Sequence, residues 1–439
     1  MSRTLHLNAF LKPAGEYLAG WRHPDSPAAA GVDFRHVAGL VRRVEEAKFD
    51  SVFLPDLVGV PDSKPEVLDK VAVVNDGFEP LTLLSALSAV TSRIGLIATT
   101  STSYSEPYTV ARAFASLDHL SKGRAGWNVV TSINNSEARN FGLDVHLGHA
   151  ERYERAEEFY DVVEALWDSF DDDAFLLDRQ SGRYFDADRI HWLNHRGKHF
   201  TVAGPLNIAR PPQGRPVIAQ AGSSGPGRAL AARIGEMVFA RSLDLDDARA
   251  YYADVKQQVA AFGRDPEQAK VLPELATIIA PSRAEAEDKF GALKSLLHPR
   301  VALADVEYWL GGIDLSGYPL DGPLPPIQET NASLGTQREI YEQAQRDGLT
   351  IGDLATLVAD GDRAVVGTPQ DVADYIEERF TTAAADGFTV SFPYLPGTLT
   401  DFVDLVVPEL QRRGLFRTDY VGTTLREHLG LERPAARPR

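Results

Sequence analysis

Gly126-Trp127-Asn128-Val129-Val130-Thr131-Ser132 is an apolar, strand-like run that breaks off in two hydroxyls. The pattern recurs on both sides of it. Ser51-Val52-Phe53-Leu54 leads into Asp56, and Ile94-Gly95-Leu96-Ile97 leads into Thr99 to Thr102. Pro216-Val217-Ile218-Ala219 leads into Gln220-Ala221-Gly222-Ser223-Ser224. Where strands alternate with helices, their C-terminal ends gather on one face, and ligands bind there. Polar and small residues crowd that edge in this chain.

Between these runs lie amphipathic stretches. Phe34 to Lys48 places Val37, Leu40, Val41 and Val44 at three- and four-residue spacing, which predicts a helix. Leu81 to Val90 and Tyr108 to Leu120 read the same way. A longer helix is predicted from near His149, with Tyr153, Ala156, Phe159, Val163 and Leu166 on its buried face. Further strands are expected at Leu5 to Phe10, Met237 to Ala240, Val271 to Ala280 and Thr389 to Phe392, and a last long helix at Leu399 to Arg412. Eight such units predict an α/β fold, a (β/α)8 TIM barrel, as one domain over residues 1–439. An open doubly wound sheet is the runner-up. Two segments break the rhythm, at 171–212 and 283–367, and are expected as insertions over the barrel mouth. The end of the chain, from Glu432, is rich in Pro and Arg and is expected to be a short flexible tail.

The 439 residues are 44% hydrophobic, which is ample for a core, and their net charge is −17 at pH 7. An acidic surface argues against nucleic acid and anionic membranes as partners. The absence of cysteine excludes disulfides, thiolate metal sites and a Cys nucleophile. With no signal-like N-terminal region and no long apolar stretch, a soluble cytoplasmic protein is expected.

Several residues carry candidate chemistry, each beside a plainer role. Ser223-Ser224-Gly225-Pro226-Gly227 opening a helix suits an anion, but equally an ordinary Ser cap with Pro in the first turn. His149 and Tyr153 share a face at the start of the next candidate helix, where a capping His and a core Tyr would look alike. Asn128 interrupts an apolar strand and needs a hydrogen-bond partner, from a ligand or a neighbouring strand. Asp56 could accept a bond from a ligand ring or cap a turn. His191, His195 and His199 recur every four residues, but Gly197 and the strand-like Phe200-Thr201-Val202 argue against one helix, and no HExxH pattern accompanies them; no metal is expected. Neither a GxGxxG, a GxxxxGK[ST] nor a GxSxG pattern is present.

Together these runs resemble the nitrilotriacetate/dibenzothiophene-sulfone monooxygenase family of the bacterial luciferase-like flavin monooxygenase superfamily. The resemblance is carried by Leu7-Asn8-Ala9-Phe10, Trp21-Arg22-His23-Pro24, Lys48-Phe49-Asp50-Ser51-Val52-Phe53-Leu54 and Leu117-Asp118-His119-Leu120-Ser121-Lys122-Gly123-Arg124. It continues through Gly126 to Ser132, Asn140-Phe141-Gly142, Arg152-Tyr153-Glu154, Gln220 to Ser224 and Val407-Pro408-Glu409-Leu410-Gln411-Arg412-Arg413-Gly414-Leu415. It implies a luciferase-like barrel and a two-component monooxygenase that uses reduced FMN as co-substrate with O2. It also implies a separate NAD(P)H:flavin reductase and a homodimer or dimer-based tetramer. The substrate would be a small organic molecule oxygenated at a C–N, C–S or C–H position. Carried over, Asp56 and Thr102 lie by the flavin ring, Asn128 lies near it, and His149, Tyr153, Ser223 and Ser224 hold the ribityl-phosphate end. The chain departs from the family at Gly15-Glu16-Tyr17, where many relatives place a His in the substrate pocket, so Glu16 becomes the substrate-side candidate. No His of the late insertion aligns near Val301 to Trp309 either. The resemblance therefore leaves the catalytic acid/base residue and the substrate unknown. The alternatives are an F420-dependent luciferase-like oxidoreductase and a flavin-free barrel glycosidase pairing Asp56 with Glu79 or Glu106.

Overall fold

The computed structural model describes residues 3–27, 29–75, 77–222, 224–241, 244–329, 331, 334–359 and 364–436. Eight strands form the barrel: β1 (His6–Phe10), β2 (Ser51–Leu54), β3 (Gly95–Ser101), β4 (Ala125–Val130), β5 (Val217–Gln220), β6 (Met237–Ala240), β7 (Lys270–Ile279) and β8 (Gly387–Ser391). Each is parallel to the next, and β8 returns to pair with β1, so the sheet closes. The fold is a (β/α)8 barrel, and the open sheet is ruled out. A short strand, Ala364–Gly367, lies parallel to Ala276–Ile279 at the end of β7.

The alternation of side chains along each strand divides inside from outside. Leu7 and Ala9 face outward into the core shared with helices such as Phe34–Glu46 and Pro107–Ser121. The inner face at the start of the strands carries Ile97, Val217, Met237 and Leu272. A helix at Leu425–Leu429 plugs that end, setting Leu425 and Leu429 among those residues. Gly95 is needed there, since a Cβ on it would stand 2.5 Å from the Leu425 side chain. The hydroxyl-rich ends of the strands are thus left at the opposite mouth.

Three local features differ from the sequence reading. β3 runs on to Ser101, so Thr99 and Thr100 belong to the ladder opposite Asn128 and Val129. Leu399 to Arg412 is not one regular helix: Phe402–Val406 is a π-helical turn. Pro408 follows it with no N–H for the usual i−4 bond, and a widened turn accommodates that loss. Segment 171–212 holds a hairpin, His195–Arg196 with Thr201–Val202. Its histidines lean on separate carboxylates, His191 on Asp171 (2.8 Å), His195 on Glu158 (2.9 Å) and His199 on Glu154 (3.6 Å).

Segment 283–367 carries helices Arg283–Lys294, Pro299–Trp309, Leu334–Asp347 and Ile351–Ala359. Its own small core contains Val306, Leu310, Leu315, Leu324, Ile351 and Leu354. Near the chain end, Arg433 pairs with Asp172 (2.6 Å), and the Pro434 carbonyl accepts from Arg210 (2.8 Å). Among the described residues, no helix is long and apolar enough to cross a membrane.

Candidate active site

A cavity of about 240 Å³ opens at the ends of β2, β4 and β5. Its wall brings together Asp56, His149, Tyr153 and Ser224, four of the residues expected from the sequence. They sit beside the backbone of 129–133, and Leu334 and Gly335 of the late insertion complete the wall.

Two helix starts meet in this wall. Helix His149–Trp167 begins at Gly148, which has no side chain to cap it. Helix Gly225–Ile234 begins at Ser224, whose Oγ accepts from the Gly227 N–H at 3.2 Å. The plain reading of Ser224 as a cap therefore holds, and the residue still lines the cavity. The unpaired N–H groups and the dipole of each helix make both starts positive. They come close because Gly222 and Gly227 pack against each other: a Cβ on Gly227 would stand 2.8 Å from the Tyr153 hydroxyl. The rings of His149 and Tyr153 lie 4.9 Å apart. Burial and the Arg152 charge lower the pKa of His149, which favours the neutral ring.

Arg152 is the residue sequence reasoning missed. It lines the cavity but is only 1% exposed. One guanidinium nitrogen donates to the Asn331 carbonyl (2.6 Å), while Nε and Nη1 have no hydrogen-bond partner among the described residues. A buried cation without an ion-pair partner among the described residues is costly, and such a site suits an anion. The nearby carboxylate, Glu137, is already saturated. It accepts from Ser132 Oγ (3.0 Å) and from the N–H groups of Ile133 (3.2 Å) and Asn134 (3.0 Å). On sequence alone Arg152 reads as one more solvated charge of an amphipathic helix.

Asp56 sits across the wall. Burial, then the charges of Glu79 and Glu137, push its pKa up to about 6. Ser132, at φ 57°, holds a left-handed backbone without being glycine. Its hydroxyl is bonded to Ser101 (2.8 Å) and Glu137, and such conformations persist where surroundings fix them.

Thr102 and Asn128 stand outside this wall. Thr102 is fully buried, and its hydroxyl donates to the Val130 carbonyl (3.1 Å). Asn128 Nδ2 donates to Thr99 (3.0 Å), leaving its buried Oδ1 without a partner among the described residues. Ser223 lies outside the described residues. Glu16 lies away from the cavity, on the loop after β1, where Lys12 pairs with it at 3.0 Å. Glu79 accepts from the N–H groups of Leu81 (2.9 Å) and Thr82 (2.6 Å), so it is a helix cap rather than a second catalytic carboxylate.

Residues 16–387 match the family model described as luciferase-like monooxygenase. The chain is 48% identical to N-acetyl-S-(2-succino)cysteine monooxygenase of Bacillus subtilis (strain 168), over 99% of this chain and 98% of that one. It is 46% identical to nitrilotriacetate monooxygenase component A of Aminobacter aminovorans, again over 99% and 98%. Among solved structures, a riboflavin lyase described with modified FMN and substrate riboflavin superposes with a TM-score of 0.89. The identity there is 35%, over 99% of this chain and 97% of that one.

Proposed function

Since the chain belongs to the luciferase-like monooxygenase family and is an enzyme of it, we propose that it is a two-component, FMN-dependent monooxygenase. Arg152 carries this reading. A buried guanidinium with two nitrogens unpartnered among the described residues, in the cavity wall where two helix starts meet, suits a phosphate monoester better than a neutral ligand. Arg152, Tyr153, Ser223, Ser224 and the helix-start N–H groups would hold the phosphate, with His149 against the ribityl chain. Asp56, Thr102 and Asn128 would face the ring, where the orphaned Asn128 Oδ1 still needs a donor.

Bound reduced FMN supplies the two electrons with which one atom of O2 enters the substrate and the other leaves as water. The chain's own part is to seat the cofactor, exclude water and hold protons. Asp56, with its pKa near 6, is suited to accept a ring N–H when ionised. The name "component A" of the nitrilotriacetate relative supports a separate NAD(P)H:flavin reductase as partner.

The substrate is a small organic molecule oxygenated at a C–N, C–S or C–H position. The segments 171–212 and 283–367 are insertions on a single barrel domain, Glu16 belongs to the substrate side, and the protein is a cytoplasmic homodimer or dimer-based tetramer. The test is turnover of a substrate panel with reduced FMN and O2, using an added reductase. Oxygenation with FMN is the expected result; turnover with F420 alone would sink the reading.

A further inference from the structure

A second constellation lies in the sector of the mouth formed by β1, β6, β7 and β8. β7 carries one carboxylate, Glu274, which sits on its inward register opposite Thr389. Leu272, the inward residue before it, is 1% exposed, whereas Glu274 and Ala276 are partly open. Phe10 and Phe239 also face inward and are partly open, so the barrel interior is accessible at this level. The Phe10 ring lies 5.4 Å from Phe53 and 6.3 Å from Phe239, making an apolar floor.

Asp305, on helix Pro299–Trp309, stands among the same charged groups as Glu274. Asp305 and Glu274 share the same three charged neighbours, Lys12, Glu16 and Arg241. Both cations are engaged: Lys12 pairs with Glu16 at 3.0 Å and Arg241 with Glu339 at 3.5 Å. Glu274 accepts from the Ser391 hydroxyl (3.1 Å), and Asp305 has the Trp309 indole N–H beside it. Neither has an ion-pair partner among the described residues. The four carboxylates thus outnumber the two cations, and burial raises the pKa of both Glu274 and Asp305. Among the described residues, no three such groups come together as a metal site. The same helix places Tyr308 against Asn134 and Glu137, which ties this sector to the cofactor cavity.

We propose that Glu274 and Asp305 form the substrate-recognition site, and that it takes a protonated amine with an apolar body. This rests on the monooxygenase reading for the reaction, though not for the binding. An ammonium group brings positive charge and up to three N–H donors to two carboxylates that lack a cation. Its hydrocarbon part lies on Phe10 and Phe239, whose faces also attract a cation. A carboxylate ligand would meet surplus negative charge and cations already paired.

Hexylamine, hexanol and hexanoate are matched probes for calorimetry on the FMN-loaded protein near neutral pH. Hexylammonium should bind roughly tenfold or more tighter than hexanol, with hexanoate weakest. Glu274→Gln and Asp305→Asn should each weaken the amine by a similar factor and leave hexanol and FMN affinity unchanged. Equal binding of the three probes, preference for hexanoate, or no binding of any overturns the proposal. The wild-type comparison decides even if a variant does not fold. Failure to bind FMN would instead overturn the monooxygenase reading, and the amine preference would still be measurable on the protein alone.

Discussion

In the sector framed by β2, β4 and β5, the charge without an ion-pair partner among the described residues is a cation, Arg152. In the sector framed by β1, β6, β7 and β8, it is a pair of carboxylates, Glu274 and Asp305. Both sectors open at the same end of one barrel, and both belong to a chain whose net charge is −17. The total therefore says nothing about what either sector attracts. Local desolvation decides, because an unpaired charge out of water is worth far more than many solvated ones. Each sector is incomplete in a way that specifies its ligand: an anion in one, a cation in the other. Glu137 could have neutralised Arg152, but its donors from Ser132, Ile133 and Asn134 hold it in place.

The largest expected effect is that of Arg152→Ala. Removing the buried partner of a phosphate should cost about 3 kcal/mol or more in FMN binding, roughly a hundredfold in affinity. The FMN-free variant should be no less stable than the wild type, because the substitution also removes an uncompensated buried charge. Thermal unfolding with and without FMN separates the two effects: the Tm of the free protein holds or rises, and the increment due to FMN disappears. A variant that binds FMN like the wild type would mean that the phosphate lies elsewhere.

Tyr153→Phe and Ser224→Ala sharpen the picture at smaller scale. Each removes one hydrogen bond to a charged group, about 1.5–3 kcal/mol, so FMN affinity should fall by roughly ten- to a hundredfold. Their stabilities should differ. Ser224 caps the helix through the Gly227 N–H, and its loss should cost about 1 kcal/mol of folding stability. Tyr153→Phe should leave stability nearly unchanged. Fluorescence titration of FMN and denaturant unfolding of both variants check this pairing.

The barrel was legible because each of its strands is a short apolar run, most ending in hydroxyls, and the helices between them keep a 3.6-residue period. Met237–Ala240 matches the expected strand to the residue. The late insertion was less legible. Its stretch Gly317 to Pro326 advertises turns, while the helices on either side of it build a separate small core around Val306, Leu310 and Ile351. Asp56, His149, Tyr153 and Ser224 could be read as site candidates because they stand at element ends. Arg152 could not, since a charged residue on an amphipathic helix reads as solvated until packing shows it 1% exposed. Glu274 did leave a signal, a lone carboxylate inside Val271 to Ala280, but its inward register depends on the closed sheet.

The smallest expected effect is a pH dependence, and its sign follows from the carboxylates. Burial raises Asp56 and Asp305 to about 6 in the folded chain, against 3.8 for an ordinary Asp. The folded state then holds protons that the unfolded state has released. The corresponding stability is fully present below about pH 4 and is lost as pH rises through about 6. Asp56→Asn should remove part of that slope, and Asp305→Asn a further part. Flavin binding should run the other way in the Asp56 sector: a ring N–H favours the ionised carboxylate, so affinity should rise severalfold between about pH 5 and about pH 7. The FMN phosphate titrates in the same range, so riboflavin, which lacks it, is the proper probe. Riboflavin affinity that rises with pH in the wild type and is flat in Asp56→Asn would place the carboxylate at the ring. The same slope in both proteins would remove Asp56 from that role while leaving Arg152 and the phosphate seat untouched.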